Sequence, residues 1–191
     1  MGSTKSTQPI HKIRRTARAV ADESWTKDFL KTAPYGMTAT TVNEQPFLTT
    51  NLFAFDEDTN AIYLHSTDKG RTASNIRTNG NVCFSVSQIG RLLPAEISSE
   101  FSVEYASVVV FGKAHILSDD SERAFGLQLL LDKYFPRHKS GEDYPNLSVE
   151  EMRGTAVYKI EIIHWSAKQK KAPKDFPGAF SYEDMLTSKI P

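Results

Sequence analysis

The stretch from Ile62 to Phe84 reads Ile-Tyr-Leu-His-Ser-Thr-Asp-Lys-Gly-Arg-Thr-Ala-Ser-Asn-Ile-Arg-Thr-Asn-Gly-Asn-Val-Cys-Phe: an apolar strand, a hydroxyl-rich cationic loop, a short helix and a second strand. That order of parts can hold a phosphate. A phosphate carries about two negative charges near neutral pH, so its site needs fixed cations, hydroxyl donors and free backbone N–H groups converging on one point. Ser66, Thr67, Lys69 and Arg71 supply the hydroxyls and cations. Gly70 permits a tight turn, and a helix beginning near Thr72 would aim its unpaired N–H groups and positive dipole end back at the loop. His65 directly precedes the loop and has the side chain best suited to proton exchange, which makes it the candidate catalytic residue. The loop reads equally as an ordinary polar strand-to-helix connection, and His65 equally as a strand histidine with satisfied partners.

Other chemistries have less support. The histidines at 11, 65, 115, 138 and 164 show no His-x-His or His-Glu-x-x-His spacing, so no metal site is expected. No Gly-x-Ser-x-Gly elbow occurs, and the single cysteine, Cys83, sits in an apolar strand pattern and is expected to be a buried thiol. There is neither a Gly-x-Gly-x-x-Gly fingerprint after the first strand nor a Walker-type loop. Lys plus Arg total 23 and Asp plus Glu total 23, so no global charge draws the chain to nucleic acid or an anionic membrane, and any anion site must be local. No apolar run reaches the length of a signal peptide or membrane span, and a cytoplasmic location is expected by default.

At 191 residues the chain fits one domain with short arms: a flexible arm over 1–11, a domain over 12–168 and an irregular tail over 169–191 that suits a partner's surface. Asp22 is a plausible N-cap for a helix that Pro34 halts. Residues 35–41 and 46–55 form an expected hairpin about Asn43-Glu-Gln-Pro, and 61–66 adds a third antiparallel strand in sequence. Gly80 is expected to close the helix over 72–77 in a left-handed turn, with a strand over 82–89 and a long loop over 90–101. A strand over 105–117 carries a bend at Gly112, a largely buried helix runs from Asp119 or Asp120 to Pro136, Ser148-Val-Glu-Glu is a capping box, and 155–165 is the last strand. Six strands of hairpin connectivity with peripheral helices indicate an α+β, mainly β domain built around an antiparallel barrel.

Several segments together carry a resemblance: Ala33-Pro-Tyr-Gly-Met-Thr-Ala-Thr; Ala61-Ile-Tyr-Leu-His-Ser with Gly70-Arg-Thr and Asn75-Ile-Arg; Val82-Cys-Phe; Tyr105-Ala-Ser-Val-Val-Val-Phe-Gly-Lys-Ala; and Ile162-Ile-His-Trp-Ser. Over residues 12–168 the chain resembles the pyridoxamine 5′-phosphate oxidase-like FMN-binding split barrels, in the branch of the nitroimidazole resistance proteins. The resemblance implies a homodimer of six-stranded split barrels with FMN in two clefts made from both chains. It implies that His65, Ser66, Lys69 and Arg71 surround the FMN phosphate and ribityl chain, and that Thr49, Thr50 and Asn51 lie on a strand running along the flavin. It further implies that Tyr105 and Ser107 lie on a strand that approaches the flavin and that Trp165 reaches across the dimer. Relatives commonly carry Arg-Lys where this chain has Arg71-Thr72, which removes one cation that Lys69 would have to replace.

The implied activity is an FMN-dependent oxidoreductase that passes electrons from a nicotinamide or other small-molecule donor to a small planar acceptor such as a nitroaromatic. Two alternatives stand beside it: a non-catalytic flavin- or haem-binding split barrel, and an interaction domain whose basic arms contact a partner. No nucleic-acid or membrane partner is expected, and the signature for the pyridoxamine-phosphate substrate is absent.

Overall fold

Alternating burial along β2 (Gly36–Val42) and a run of apolar residues in β5 (Ala61–Thr67) frame the fold described by this computed structural model, which covers residues 8–187. β2 returns into β3 (Gln45–Asn51) through Asn43 and Glu44, both with positive φ (51° and 61°), the mirror-type turn whose twist matches paired strands. β4 (Phe53–Asp56) pairs in the same way with β5 across an acidic turn closed by Asn60.

β3 and β4 correspond to the single strand expected over 46–55, and the structure breaks it at Leu52. The two halves do not pair with each other. The strand order β3-β2-β6-β7-β8-β5-β4 places them at opposite ends of one antiparallel sheet, so three successive strands do not lie side by side. Since one residue separates the two ends, the sheet must curl until its edges meet, and the barrel is joined there by the chain rather than by a ladder. Tyr134 holds the crossing: its hydroxyl accepts from Phe53 N–H at 3.1 Å and lies 3.1 Å from Phe53 O and 2.9 Å from Pro34 O. Splitting this strand, together with a two-residue β1 (Ala19–Val20) added beside β8 (Thr155–Lys170), makes eight strands where six were expected.

β6 (Asn81–Leu93) and β7 (Ser102–Ile116) pair along most of their lengths. The loop expected from Gly90 therefore begins only after Leu93, because Gly90 and Arg91 form a bulge opposite Glu104 that hides the strand's period without ending it. Gly112 marks the expected bend. Ile163 on β8 is the extra residue there, and a Cβ at Gly112 would lie 2.4 Å from Glu161 O.

The barrel interior is filled by Phe53, Ile62, Leu64, Phe84, Val108, Val110, Tyr158 and Ile160, each contributing roughly 1.5–3 kcal/mol where a large apolar side chain is fully buried. Asp22 caps α1 (Glu23–Thr32) by accepting from the N–H groups of Ser24 and Trp25, and Leu30 enters the core. α3 (Asp120–Tyr134) is less buried than expected: Gly126 and Leu130 alone are fully covered and Phe125 is 45% exposed, because its apolar residues surround the helix and one sheet contacts only one side. Ser148 and Glu151 form the expected capping box, although only turns follow it. Cys83 is half-buried rather than core.

Beyond β8 the chain folds back on itself. Arg91 donates to the carbonyls of Ala172, Pro173 and Lys174, and Phe180 bridges Leu92 through both backbone groups before α4 (Tyr182–Thr187). This segment is thus held by its own β6. Residues 1–7 of the expected arm and 188–191 of the expected tail lie outside the described residues. No helix among the described residues is long and apolar enough to cross a membrane.

Candidate functional site

α2 (Arg71–Thr78) follows the loop and buries Thr72, Ala73, Asn75 and Ile76. It is tied to the first hairpin by polar contacts. Thr72 Oγ1 lies 3.1 Å from Thr49 Oγ1, Asn75 Nδ2 donates to Thr40 Oγ1 at 2.8 Å, and Asn79 Nδ2 donates to Thr41 O at 3.1 Å. The helix therefore spans from β5 to β2 and β3 across the barrel's open side. At its far end Gly80 does not adopt a left-handed conformation; its carbonyl accepts from Ala114 N–H at 2.7 Å, and a Cβ there would meet Ala114 O at 2.9 Å.

At its near end, Gly70 is the N-cap and offers no side chain, so the first-turn N–H groups have no side-chain acceptor. Lys69 and Arg71 flank this turn, exposed and without a carboxylate partner among the described residues. Arg71 stands over the Phe47 ring at 5.6 Å. The loop backbone is fixed by Arg77, which donates to Asp68 O at 3.0 Å, and by Asp68 N–H donating to Gly154 O at 3.0 Å. Lys69 and Arg71 thus border the uncapped turn in sequence, and the Arg71 guanidinium leans toward Phe47 on β3.

The hydroxyls behave differently. Ser66 Oγ lies 2.8 Å from the hydroxyl of the buried Tyr158 and donates to Thr67 O at 3.2 Å, so its proton is already engaged. Burial pushes the Tyr158 phenol above its ordinary range, which keeps it neutral. Thr67 Oγ1 accepts a long contact from Lys69 N–H at 3.5 Å. His65 presents its imidazole at the surface beside the loop, opposite Val157, and burial of its inner part lowers its pKa, so it is neutral at pH 7.

Thr49 and Asn51 face α2, whereas Thr50 alternates to the outer face with Leu48. Asn51 Oδ1 is buried without a hydrogen-bond partner. It is an acceptor in need of a donor.

Tyr105, Ser107 and Trp165 lie elsewhere in the chain. Tyr105 pairs with Lys170, Ser107 with Lys168, and Trp165 with Val110, whereas the loop joins β8 at its start, where Thr67 pairs with Thr155. Roughly 33 Å of strand separates Thr155 from Trp165, and about 50 Å separates it from Lys170. Within one chain Tyr105, Ser107 and Trp165 therefore sit away from the loop along β7 and β8. Trp165 and His164 line a separate cavity of about 440 Å³ with Glu23, Lys27 and Asn60.

Tyr158, not singled out in the sequence, locks the loop together with Arg77, and Asn75 and Thr72, noted there only as parts of a motif, dock the helix. Among the described residues no group of three or more His, Cys, Asp or Glu side chains is arranged to hold a metal.

Residues 22–169 match the family model described as pyridoxamine 5′-phosphate oxidase. No curated protein matches the chain in sequence. Among solved structures, the flavocytochrome Anf3 from Azotobacter vinelandii is similar at 23% identity and a TM-score of 0.72, over 93% of this chain and 79% of that one. The FAD and haem binding protein from Mycobacterium smegmatis is similar at 20% identity and a TM-score of 0.73, over 90% and 80%. A candidate 5-nitroimidazole antibiotic resistance protein from Bacteroides thetaiotaomicron follows at 21% identity and 0.66, over 79% and 86%.

Proposed function

The chain belongs to the pyridoxamine 5′-phosphate oxidase family, and on that footing we propose that it is an FMN-dependent oxidoreductase whose flavin is held by its phosphate at the β5–α2 loop. The observation that carries this reading is the uncapped first turn of α2 between Lys69 and Arg71, two cations with no carboxylate partner among the described residues. The donor set fits a phosphomonoester, and the orphaned Asn51 Oδ1 on β3 fits a ligand bearing an N–H.

When bound, the flavin supplies reversible uptake of electrons, taken from a nicotinamide or other donor and passed to a small planar acceptor, a nitroaromatic among the candidates. Lys69 and Arg71 offset the phosphate charge. Thr49 and Asn51 line the inner side, and the neutral His65 imidazole accepts a proton at its free ring nitrogen or donates one from the other. Tyr105, Ser107 and Trp165 belong to this site only if they come from a second copy, so the reading includes a homodimer with the cofactor cleft between subunits.

The test is flavin retention, read by absorbance after purification. Arg71→Ala is expected to lose more flavin than His65→Ala, together with a dimer mass by light scattering and bleaching by a nicotinamide donor. Equal retention in the two variants removes the phosphate assignment.

A second reading, haem binding, is supported by one observation. His11 and His164 have ring centroids 4.2 Å apart beside the cavity that His164 lines, and His11 Nδ1 is buried without a partner. An imidazole nitrogen free of hydrogen bonds can ligate iron. A sharp haem band on adding haemin, lost in His164→Ala, supports it; an unchanged spectrum sinks it.

A further inference from the structure

We propose that the N-terminal segment and the end of β8 together form a basic docking surface for the acidic face of a partner protein. This goes beyond the flavin reading and does not depend on it.

Equal totals of acidic and basic residues conceal an uneven distribution. Residues 8–21 hold Lys12, Arg14, Arg15 and Arg18, and residues 166–174 hold Lys168, Lys170, Lys171 and Lys174, with no Asp or Glu in either stretch. The remaining 15 Lys and Arg are outnumbered by all 23 Asp and Glu, so a corner of formal charge +8 stands against −8 on the rest of the chain.

The fold joins the two stretches although they lie near opposite ends of the sequence. β1 lays Ala19 beside Lys168 and Val20 beside Ala167, directly after the turn that carries Arg18. Farther back along the segment, the His11 ring lies 4.2 Å from that of His164 on the same strand.

None of the eight cations forms an ion pair with a carboxylate among the described residues. Acids that adjoin the corner in sequence or register have other duties: Asp22 caps α1, and Glu104 is held by Arg91. Lys170 reaches Ser102 Oγ, a neutral partner that leaves its charge unbalanced. Like charges gathered this way repel one another, and an approaching anion relieves that repulsion.

The form of the surface selects the kind of anion. Lys12, Arg14, Arg15, Lys171 and Lys174 are exposed, and the cavity that Lys170 and Lys171 line is about 160 Å³, below the size of small-molecule sites. Neither stretch contains a Phe, Tyr or Trp on which nucleic-acid bases could stack. Ile10, 71% exposed, is the one exposed large apolar side chain in the two stretches, too little to anchor in lipid. A broad set of solvated cations matches an acidic protein surface, which it steers and orients in a salt-sensitive complex.

The experiment titrates the full chain into a fluorescein-labelled glutamate peptide of about twelve residues and follows anisotropy in about 20 mM and about 150 mM salt. Binding is expected at the lower salt and should weaken by about tenfold or more at the higher, because the charges are solvent-exposed and screened. Arg14→Glu with Arg15→Glu, and separately Lys171→Glu with Lys174→Glu, should each weaken it by about tenfold. Arg137→Glu with Lys139→Glu, exposed on the loop after α3, should leave it unchanged. Two independent pairs keep the test valid if one does not fold. A peptide that fails to bind, or that the change at Arg137 and Lys139 weakens as much, overturns the proposal. A DNA duplex or a phosphatidylserine vesicle bound more tightly than the peptide at the higher salt overturns it in favour of a phosphate-bearing partner. Flavin retention bears on none of these outcomes, so the two readings fail separately.

Discussion

The hydroxyls of Thr49 on β3 and Thr72 on α2 lie 3.1 Å apart, one strand and one helix joined at the position where the resemblance implies a lysine. Thr72 is almost fully buried, so its side chain is spent on docking the helix rather than on a ligand. Thr72→Lys should return a charge-assisted contact to the loop and tighten flavin binding by about tenfold or more, since such contacts contribute roughly 1.5–3 kcal/mol. The same change orphans the Thr49 hydroxyl and should lower thermal stability slightly. Fluorescence titration beside a melting curve checks both, and unaltered flavin affinity would detach the phosphate from this loop.

Gly112 sits where β8 carries the extra residue Ile163, and a methyl there would press 2.4 Å from Glu161 O and 2.9 Å from Ile160 Cγ2. Backbone and a buried core side chain cannot yield cheaply. Gly112→Ala should cost about 1–3 kcal/mol, seen as a lowered unfolding midpoint with secondary structure retained. A melt identical to that of the parent would mean the bulge is not under this constraint.

The local features of the fold are legible in the residues; the long-range ones are not. Asn43 and Glu44 announce their hairpin, Asp22 its helix and Gly112 its bend, because each is decided within a few residues. The break at Leu52 is invisible, since Thr49, Thr50, Phe53 and Phe55 around it are good strand formers and only the partners, β2 for one half and β5 for the other, tell them apart. Gly90 reads as a loop for the opposite reason: the side chain that makes it a bulge, Glu104, lies on another strand. At the site, the cationic loop could be read directly. The engagement of Ser66 by Tyr158 and the lean of Arg71 onto Phe47 depend on strands that only the folded barrel brings together.

Glu104 provides a pH-dependent clasp for the segment beyond β8. Its carboxylate accepts from Arg91 Nε and Nη2, Arg91 N–H and Ala172 N–H, and the Arg91 guanidinium, followed by the Ala172 N–H, holds its pKa down to about 2. A carboxyl depressed in the folded state contributes stability above its unfolded value of about 4.3 and loses it as pH falls through the folded value. The protection of Ala172 and Phe180 N–H from hydrogen exchange, relative to the unfolded chain at the same pH, should therefore stay high at neutral pH and fall between about pH 4 and pH 2. Glu104→Gln should lower that protection at neutral pH and abolish its change over this pH range. Protection that persists in the variant would show that Phe180 alone holds the segment.

Lys133 carries the opposite sign. Its Nζ is buried with no hydrogen-bond partner, 3.7 Å from the centre of the Phe53 ring, and burial brings its pKa down to about 8. An unfolded lysine titrates near 10.4, so between about pH 8 and that value the unfolded chain binds more protons than the folded one, and stability must rise with pH. Below pH 8 the folded protein holds a poorly solvated charge that the cation–π contact only partly offsets. Lys133→Met keeps the stem and sets a polarizable sulfur against Phe53. It should stabilise the protein near neutral pH by about 1 kcal/mol, a figure reduced for the partial solvation of the group, and should flatten the rise above pH 8. Denaturant unfolding of both proteins at pH 7 and pH 9.5 decides it: a variant less stable at pH 7, or a parent whose stability falls between the two values, contradicts a lysine held at a cost over the crossing that joins β3 to β4.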